Sequence, residues 1–376
     1  MEIVLMLAGA GISYMIIERI YIKFWLKGLS AEIGFATEYA MPGDIVDLLE
    51  VVKNEKWMPL HFINVKFQLD RNLKFDNMDA NSVASDKSYK NDVFSLLFYQ
   101  KITRTIPLIC RKRGYYTIDK IEILSMGLFM NDILSVTIPI SSELVVYPAF
   151  VNAEAVEVPF RKIMGAIITN SYTYEDPFEF KGIRDYQNYD SMDKINWKAT
   201  AKTSELKVNL YDYTSSQEVC ILLNLEYEGM IKYESLLEES ISIAASLMQL
   251  LIESGVSTSI ISNGKDVLTD ENILFNSGNG FGHINSINLG LARIDLKKPA
   301  DNFTELLSNN TSKISNNVLY ILISSCKNSS IQEKYNSMCA DSKGSIWIVP
   351  YTVGFDWKPK NCEFTDIVSW EVPYYD

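Results

Sequence analysis

Histidine is nearly missing from this sequence of 376 residues: His61 and His283 are its only two, which excludes a metal centre built from several imidazoles. Cysteines at metal or redox spacing are missing too. The five present, Cys110, Cys220, Cys326, Cys339 and Cys362, form no C-x-x-C pair, are odd in number and mostly lie in apolar runs such as EVCILL. They read as buried free thiols of a reducing compartment, with a reactive thiol as the alternative. Basic excess is absent: the formal charge is −12 and the isoelectric point about 4.9, which opposes the attraction to phosphate backbones that nucleic-acid binding needs. There is no G-K-[ST] phosphate loop and no G-x-S-x-G nucleophile elbow. Internal repeats and low-complexity segments are lacking as well.

What remains is a chain built to fold. Apolar residues make up 47% of it and aromatics 12%, enough to fill a core, and its length exceeds what one core economically serves, so two domains are expected. One apolar run stands apart, Ile3 to Ile17, followed by Glu18, Arg19 and the amphipathic IYIKFWLKG. Counted through Trp25 and Leu26, with Arg19 and Lys23 snorkelling, it reaches the length of a membrane span. Its basic residues follow the apolar part, unlike those of a secretory signal. They put Arg19, Lys23 and Lys27 on the cytoplasmic side and Tyr21 and Trp25 at the interface. Residues 1–28 are therefore expected to be a single membrane anchor with the remainder in the cytoplasm; the competing reading is a helix buried in a soluble domain.

From 29 to 151 short alternating runs predict an antiparallel β-sandwich. DIVDLLEVV and LHFINVKFQLD, separated by KNEKWMP, read as a hairpin with a polar turn, and MPGD and RKRGYYT as further turns. Arg111, Lys112 and Arg113 read as a solvated turn, or else as a contact for anionic lipid or an acidic partner. NAEAVEVPFRKIMGAIITNSYTYEDPFEF reads as a loop inside a connecting segment, 152–217. Beyond it, from 218 to 376, the rhythm changes. EVCILL, VSTSIISNG, NVLYILIS and SIWIVP are continuous apolar strands. They alternate with helical patterns, among them one that places Leu237, Ile241, Ala244, Met248 and Leu251 on one face and ends at Gly255. This predicts a doubly wound α/β sheet, whose ligand-bearing loops begin at Asn224, Asn263, Ser324 and Pro350. The chain as a whole is expected to be an α+β multidomain protein: anchor helix, sandwich, α/β domain.

Between the two lies GIRDYQNYDSMDKINWKATAKTSELKV, a stretch of mixed charges around one tryptophan. Arg184 is suited to hold Asp190 or Asp193 in two hydrogen bonds, with Trp197 burying apolar area beside it and Ala199, Thr200 and Ala201 packing closely under a sheet. The reading is a structural brace between the domains, with partner contact as the alternative. The pattern Gly182, Arg184, Tyr186, Asp190, Asp193, Ile195, Trp197, Ala199, Leu206, Val208 resembles the signature of the bacterial family known as domain of unknown function 58. Tyr189 stands where that family usually has Gly, and Lys194 where it has Arg. The likeness extends to MPGDIVDLLEVVKNEKWMPLHFINVKF and RKRGYYTIDKIEI upstream.

The resemblance implies a membrane-tethered protein with an immunoglobulin-like sandwich and a von Willebrand factor A-like domain, working as an adaptor with a MoxR-type AAA+ ATPase in the assembly or maturation of other proteins. Family members often carry two membrane helices; this sequence offers one. Such α/β domains often hold Mg²⁺ in an Asp-x-Ser-x-Ser loop after the first strand, where here Asn224, Glu226 and Glu228 stand. Longer, mutually repelling carboxylates suit the tight geometry of Mg²⁺ badly, so no metal and no cofactor is assigned. Candidate catalysts are few. His283, in SGNGFGHIN, has no nucleophile beside it, and the acids Glu175, Asp176 and Glu179 cluster in an acidic loop of unknown separation. A non-catalytic adaptor is expected, with a cell-envelope binding module or an uncharacterised hydrolase as the alternatives.

Overall fold

The computed structural model describes residues 2–75, 82–84, 87–171, 180–187, 190–211, 218–229, 232–309, 318–340, 342, 344–352, 354, 358–359 and 365–373. Two compact units divide it, Met1–Ala149 and Phe150–Asp376.

The first unit begins with helix α1 (Glu2–Phe24), whose stretch Ile3–Phe24 is long and apolar enough to cross a membrane. Every large side chain from Ile3 to Ile17 is exposed, whereas Glu18, Tyr21 and Trp25, spaced to share one helical face, are buried. Tyr21 and Trp25 join the core of two facing sheets. One sheet has the order β1-β3-β8-β5 and the other β2-β10-β9-β4-β7-β6. The strands are β1 (Leu29–Phe35), β2 (Tyr39–Ala40), β3 (Ile45–Asn54), β4 (Leu60–Asp70), β5 (Leu73–Phe75), β6 (Ser82–Ala84), β7 (Lys87–Leu96), β8 (Lys101–Cys110), β9 (Gly114–Met126) and β10 (Ile133–Val146). All pairs are antiparallel except β2 with β10. Alternation gives each sheet one buried face: in β3, Val46, Leu48, Glu50, Val52 and Asn54 point inward while the residues between them are more exposed.

Two expectations need correction here. β3 and β4 do not form a hairpin, because β3 pairs with β1 and β8 and β4 with β7 and β9, in different sheets. Residues 55–59 carry the chain across the sandwich, tied down by Asn54, whose side-chain amide donates to the carbonyls of Met58 (2.9 Å) and Leu97 (2.8 Å). Nor is RKR wholly solvated. Arg111 and Lys112 are exposed but Arg113 is buried, and the Tyr116 hydroxyl closes the turn by donating to the Lys112 carbonyl at 2.7 Å.

The second unit starts with another correction. The segment read as a loop is helix α2 (Ala153–Ser171), which runs through Pro159 and buries Val156, Ile163 and Ile167 in the core of this unit. Those residues recur at helical spacing, and that periodicity outweighs one proline in the second turn. A six-stranded sheet follows in the order β15-β14-β13-β16-β17-β18, made of β13 (Glu218–Leu223), β14 (Ser257–Lys265), β15 (Asn272–Gly278), β16 (Val318–Ile323), β17 (Ser345–Tyr351) and β18 (Asp366–Glu371). Only β15, at the edge, is antiparallel.

Helices cover both faces, which is why β16 is buried at every residue. Val219, Ile221 and Leu223 of β13 face α2, α4 (Glu234–Glu253) and α5 (Phe281–Ala292), while Cys220 and Leu222 face α6 (Phe303–Asn309) and α7 (Ser329–Cys339). Helix α4 is also apolar enough to span a membrane, yet two thirds of that stretch is buried in this core. The four described cysteines are unbridged and buried, and burial pushes the thiols of Cys110 and Cys220 up to about 11. Cys362 lies outside the described residues.

An acidic pair lies among the buried polar groups of the sandwich. Glu50 of β3 points inward and is fully buried near Asp92 of β7, which pairs with Arg104 of β8 at 2.6 Å. Burial first, and then the Asp92 carboxylate, hold the Glu50 carboxyl far above the usual carboxylate range, with Arg104 opposing them. The folded state thus keeps a proton that the unfolded chain releases near 4.5, and stability falls as pH rises from there to about 8. Glu50→Gln should therefore melt near wild type at pH 4 and be more stable by at least ~1 kcal/mol at pH 8, measured by calorimetry at both values.

Candidate functional site

In a doubly wound sheet the crevice lies where the strand order reverses, here between β13 and β16. Each strand around it runs through apolar residues and ends on a small polar one. Asn224 follows β13, Asn263 lies near the end of β14, and Ser324 follows β16; all three are fully buried. They bond to one another. The Asn224 amide donates to Ser324 Oγ (3.0 Å), and its Oδ1 accepts from the Asn263 amide (2.9 Å) and from the Glu226 backbone N–H (3.0 Å). Asn263 Oδ1 in turn accepts from the Leu225 N–H at 2.8 Å, and Trp347 Nε1 donates to the Ser324 carbonyl at 3.1 Å.

The two acids of the loop reach outward from this relay. Glu226 Oε1 accepts from the N–H of Phe303, the first residue of α6, at 2.9 Å. Glu228 Oε1 accepts from the N–H of Lys327, just ahead of α7, and lies 3.7 Å from Cys326 Sγ. The Glu226 carboxylate therefore satisfies an orphan donor at the start of α6, and Glu228 holds the residue ahead of the α7 cap Asn328; negative charge is favoured near both helix starts. Among the described residues no three His, Cys, Asp or Glu side chains converge as a metal site would require. Burial pushes the Cys326 thiol up to about 12, with Glu228 and Glu226 adding to the effect. Such a thiol is protonated at neutral pH and a poor nucleophile.

A cavity of about 230 Å³ opens beside Glu226, lined among others by Lys232, Lys265, Asp295, Lys298 and Thr304. Its cations are engaged: Lys265 with Asp301 at 3.0 Å, Lys298 with Asp270 at 2.6 Å, and Lys232 with the Leu296 carbonyl. His283 sits in the first turn of α5 with Nε2 2.8 Å from the Thr258 carbonyl, which fixes the ring to the sheet. Glu175, Asp176 and Glu179 lie outside the described residues, as does Tyr189.

The signature stretch folds as a small module. Strand β11 (Phe180–Asp185) pairs antiparallel with β12 (Lys207–Tyr211), and α3 (Trp197–Thr203) sits between them in sequence. Arg184 takes Asp190 and not Asp193: its two Nη atoms bond the two carboxylate oxygens at 2.5 Å each, and the Gln187 N–H adds a third bond at 2.8 Å. The Arg184 bonds hold the Asp190 carboxyl down at about 2, against the opposing effect of desolvation, with the Gln187 bond helping. Ile195 bridges to Val208, and both are buried; Tyr186 N–H donates to the Leu206 carbonyl at 2.9 Å. Asn196 caps α3 by accepting from the Ala199 N–H at 2.9 Å, and Thr200 Oγ1 accepts from the Lys207 N–H at 3.0 Å.

The remaining expectations for this stretch are corrected. Trp197 is 67% exposed and covers nothing beside Arg184, Leu206 is also exposed, and α3 buries no residue under a sheet. The small triplet serves the cap and the turn onto β12. Gly182 has open space where a side chain would point, so its surroundings do not require glycine. What sequence reasoning missed is that Met192 and Trp197 stand out into solvent together with Phe180 and Ile183 of β11. The signal was present in the short helix, which has no apolar stripe for a buried face.

No protein-family model matches the chain, and no curated protein matches it. Among solved structures it is similar to the CARDB domain of a Pyrococcus furiosus protein in complex with di-metal ions (17% identity, 30% of this chain and 91% of that one, TM-score 0.20). It is also similar to a non-cellulosomal cohesin of Archaeoglobus fulgidus (11%, 31% and 91%, TM-score 0.22) and to the seventh ScaB type I cohesin of Pseudobacteroides cellulosolvens (14%, 31% and 91%, TM-score 0.22). Likenesses at these scores carry no argument about fold or partner.

Two outcomes follow. Glu226→Ala should cost about 1 kcal/mol, or roughly 2–4 °C in melting temperature, as loss of a helix cap does, and Mg²⁺ titration by calorimetry should give no saturable heat with wild type. Asp190→Asn should melt below wild type at pH 7. Because the folded carboxyl is depressed from 3.8 to about 2, that gap should close as pH falls through this interval, followed by circular dichroism.

Proposed function

We propose that the protein is a membrane-tethered, non-catalytic adaptor of the domain of unknown function 58 kind, with an immunoglobulin-like sandwich and a von Willebrand factor A-like α/β domain. On this reading α1 is the single anchor, both units lie on the cytoplasmic side, and the partner is a MoxR-type AAA+ ATPase. The observation that carries it is the signature module. Its backbone is pinned by the Arg184–Asp190 fork, the Asn196 cap and the buried Ile195–Val208 pair, yet it holds Trp197 and Met192 (71% exposed) in solvent. Large apolar side chains on a rigid, well-bonded frame suit a protein contact, because little entropy is lost when the contact forms. The strand-end loops support the same role: Asn224, Glu226 and Glu228 are spent on internal bonds that hold the loops in one shape.

The test is capture. Detergent-solubilised protein co-expressed with a MoxR-type ATPase should retain it, and Trp197→Ala should lower capture about tenfold while leaving the melting temperature within ~1 °C of wild type, as an exposed hot-spot residue would. Equal capture by wild type and variant would remove the module from the contact. No capture by wild type, with or without ATP and Mg²⁺, would sink the adaptor reading.

A further inference from the structure

The end of the sandwich from which α1 emerges is unlike the other end. Strand registers bring four segments together there. Leu29 of β1 faces Asn54 of β3, Lys53 faces Lys101 of β8, Leu60 of β4 faces Leu96 of β7, and Ile133 of β10 faces Met126 of β9. The start of β1 and the connections 55–59, 97–100 and 127–132 therefore share one end with the last turn of α1. Those three connections expose Trp57, Leu97, Phe98, Tyr99, Phe129 and Met130, with Trp57 at 74% and Tyr99 at 70%. The turn 111–113 at the opposite end is basic instead.

These side chains are held out by the backbone. Tyr99 and Met130 have φ of 52° and 62°, a left-handed conformation that a bulky residue adopts only where surrounding structure imposes it. Tyr99 N–H donates to the Lys56 carbonyl at 3.1 Å, Met130 N–H to the Gly127 carbonyl at 2.9 Å, and the Lys56 ammonium bonds the Trp25 carbonyl at the foot of α1. Gly127 passes close to the helix: a Cβ there would lie 2.2 Å from Glu18 Oε1, the end of a side chain that would have to shift. With glycine at that point, the connection climbs along the helix until the rings of Phe129 and Tyr14 meet, centroids 4.4 Å apart.

Length decides what this end faces. The exposed run Ile3–Ile17 rises only about 22 Å, short of a hydrocarbon core of about 30 Å, whereas Ile3–Phe24 rises about 33 Å. For α1 to span, the turns from Glu18 to Phe24 must also lie at membrane depth, and the sandwich is docked on those very turns through Tyr21 and Trp25. Phe129, beside Tyr14, then lies within the apolar run itself. Lys23 and Lys27, each under 6 Å from the Phe24 ring, stand at the foot of the helix where an anionic headgroup would be met.

We infer that the connections carrying Trp57, Leu97–Tyr99 and Phe129–Met130 form a collar inserted into the phospholipid interface around α1, so that the sandwich is seated in the bilayer surface and not held away from it on a tether. The inference rests on α1 being the membrane anchor. Aromatic and apolar residues at this depth gain by burial in the headgroup and upper acyl region, as interfacial belts do. The collar and the helix together complete a span that the exposed run alone is too short to make.

The test uses the full chain reconstituted in vesicles of phosphatidylcholine and phosphatidylglycerol, plain or brominated on the upper acyl chain. The difference in emission between wild type and Trp57→Phe reports Trp57, and bromination should quench it roughly twofold or more, as expected for an interfacial ring. Phe98→Trp in the Trp57→Phe background should restore a quenched emission, which guards against a local effect at residue 57. Protein released to the supernatant by alkaline carbonate would overturn the anchor and the collar with it. Protein that pellets with the vesicles while both emissions are unquenched would overturn the collar alone.

Discussion

Asn224, Asn263 and Ser324 are each the polar residue at which a buried apolar strand stops, and the hydrogen bonds among them set where β13, β14 and β16 end relative to one another. A buried amide with no partner costs free energy comparable to a lost hydrogen bond, so the three are stable only as a set. Everything above the sheet inherits this arrangement. Asn224 Oδ1 turns the chain by taking the Glu226 N–H, and that turn aims Glu226 at the start of α6 and Glu228 at the approach to α7. The crevice that related architectures leave for a ligand is here cross-linked by the chain's own carboxylates. Loops held this way form a fixed surface.

The first unit works on a different constraint, the docking of a helix foot. Tyr21 and Trp25 complete the sandwich core, so α1 cannot swing freely relative to the sheets, and the direction of the helix becomes the direction of the unit. The same end displays its aromatics from connections that Lys56 ties to the foot of the helix and that Gly127 lets pass close to it. A buried acid, Glu50, sits beside Asp92 and Arg104 at the cost of keeping its proton, and it makes this unit's stability fall as pH rises through the neutral range.

Much of the second unit was legible because its strands are buried on both faces and its helices have clear stripes: EVCILL, NVLYILIS and the α4 pattern each point to one solution. The loops at Asn224, Asn263 and Ser324 were legible as strand ends. That they meet was not, since 39 and 100 residues separate Asn224 from its two partners. The Arg184 fork was readable as a pairing with one of two aspartates, and only the turn that brings the Gln187 N–H onto the same carboxylate selects Asp190. The exposed Trp197 reversed the expectation of a buried brace, because a tryptophan's size predicts burial but its short helix has nothing above it to pack against. α2 was hidden by Pro159, and the supposed β3–β4 hairpin by a polar connection that crosses between sheets as readily as it turns within one.

The amino-acid sequence by itself determined the class of most segments, α2 apart. Period-2 and period-3.6 apolar patterns are local, and they settle strand or helix before any tertiary contact forms. It also determined a 22-residue apolar helix, thiols placed in buried runs, and an acidic loop at the first strand end. Only tertiary structure decided which strands share a sheet, that Glu226 and Glu228 bind backbone N–H groups instead of standing free, and that three distant connections gather their aromatics around the foot of α1. Those outcomes depend on register and on which chain ends converge, and both are fixed by packing between residues far apart in sequence.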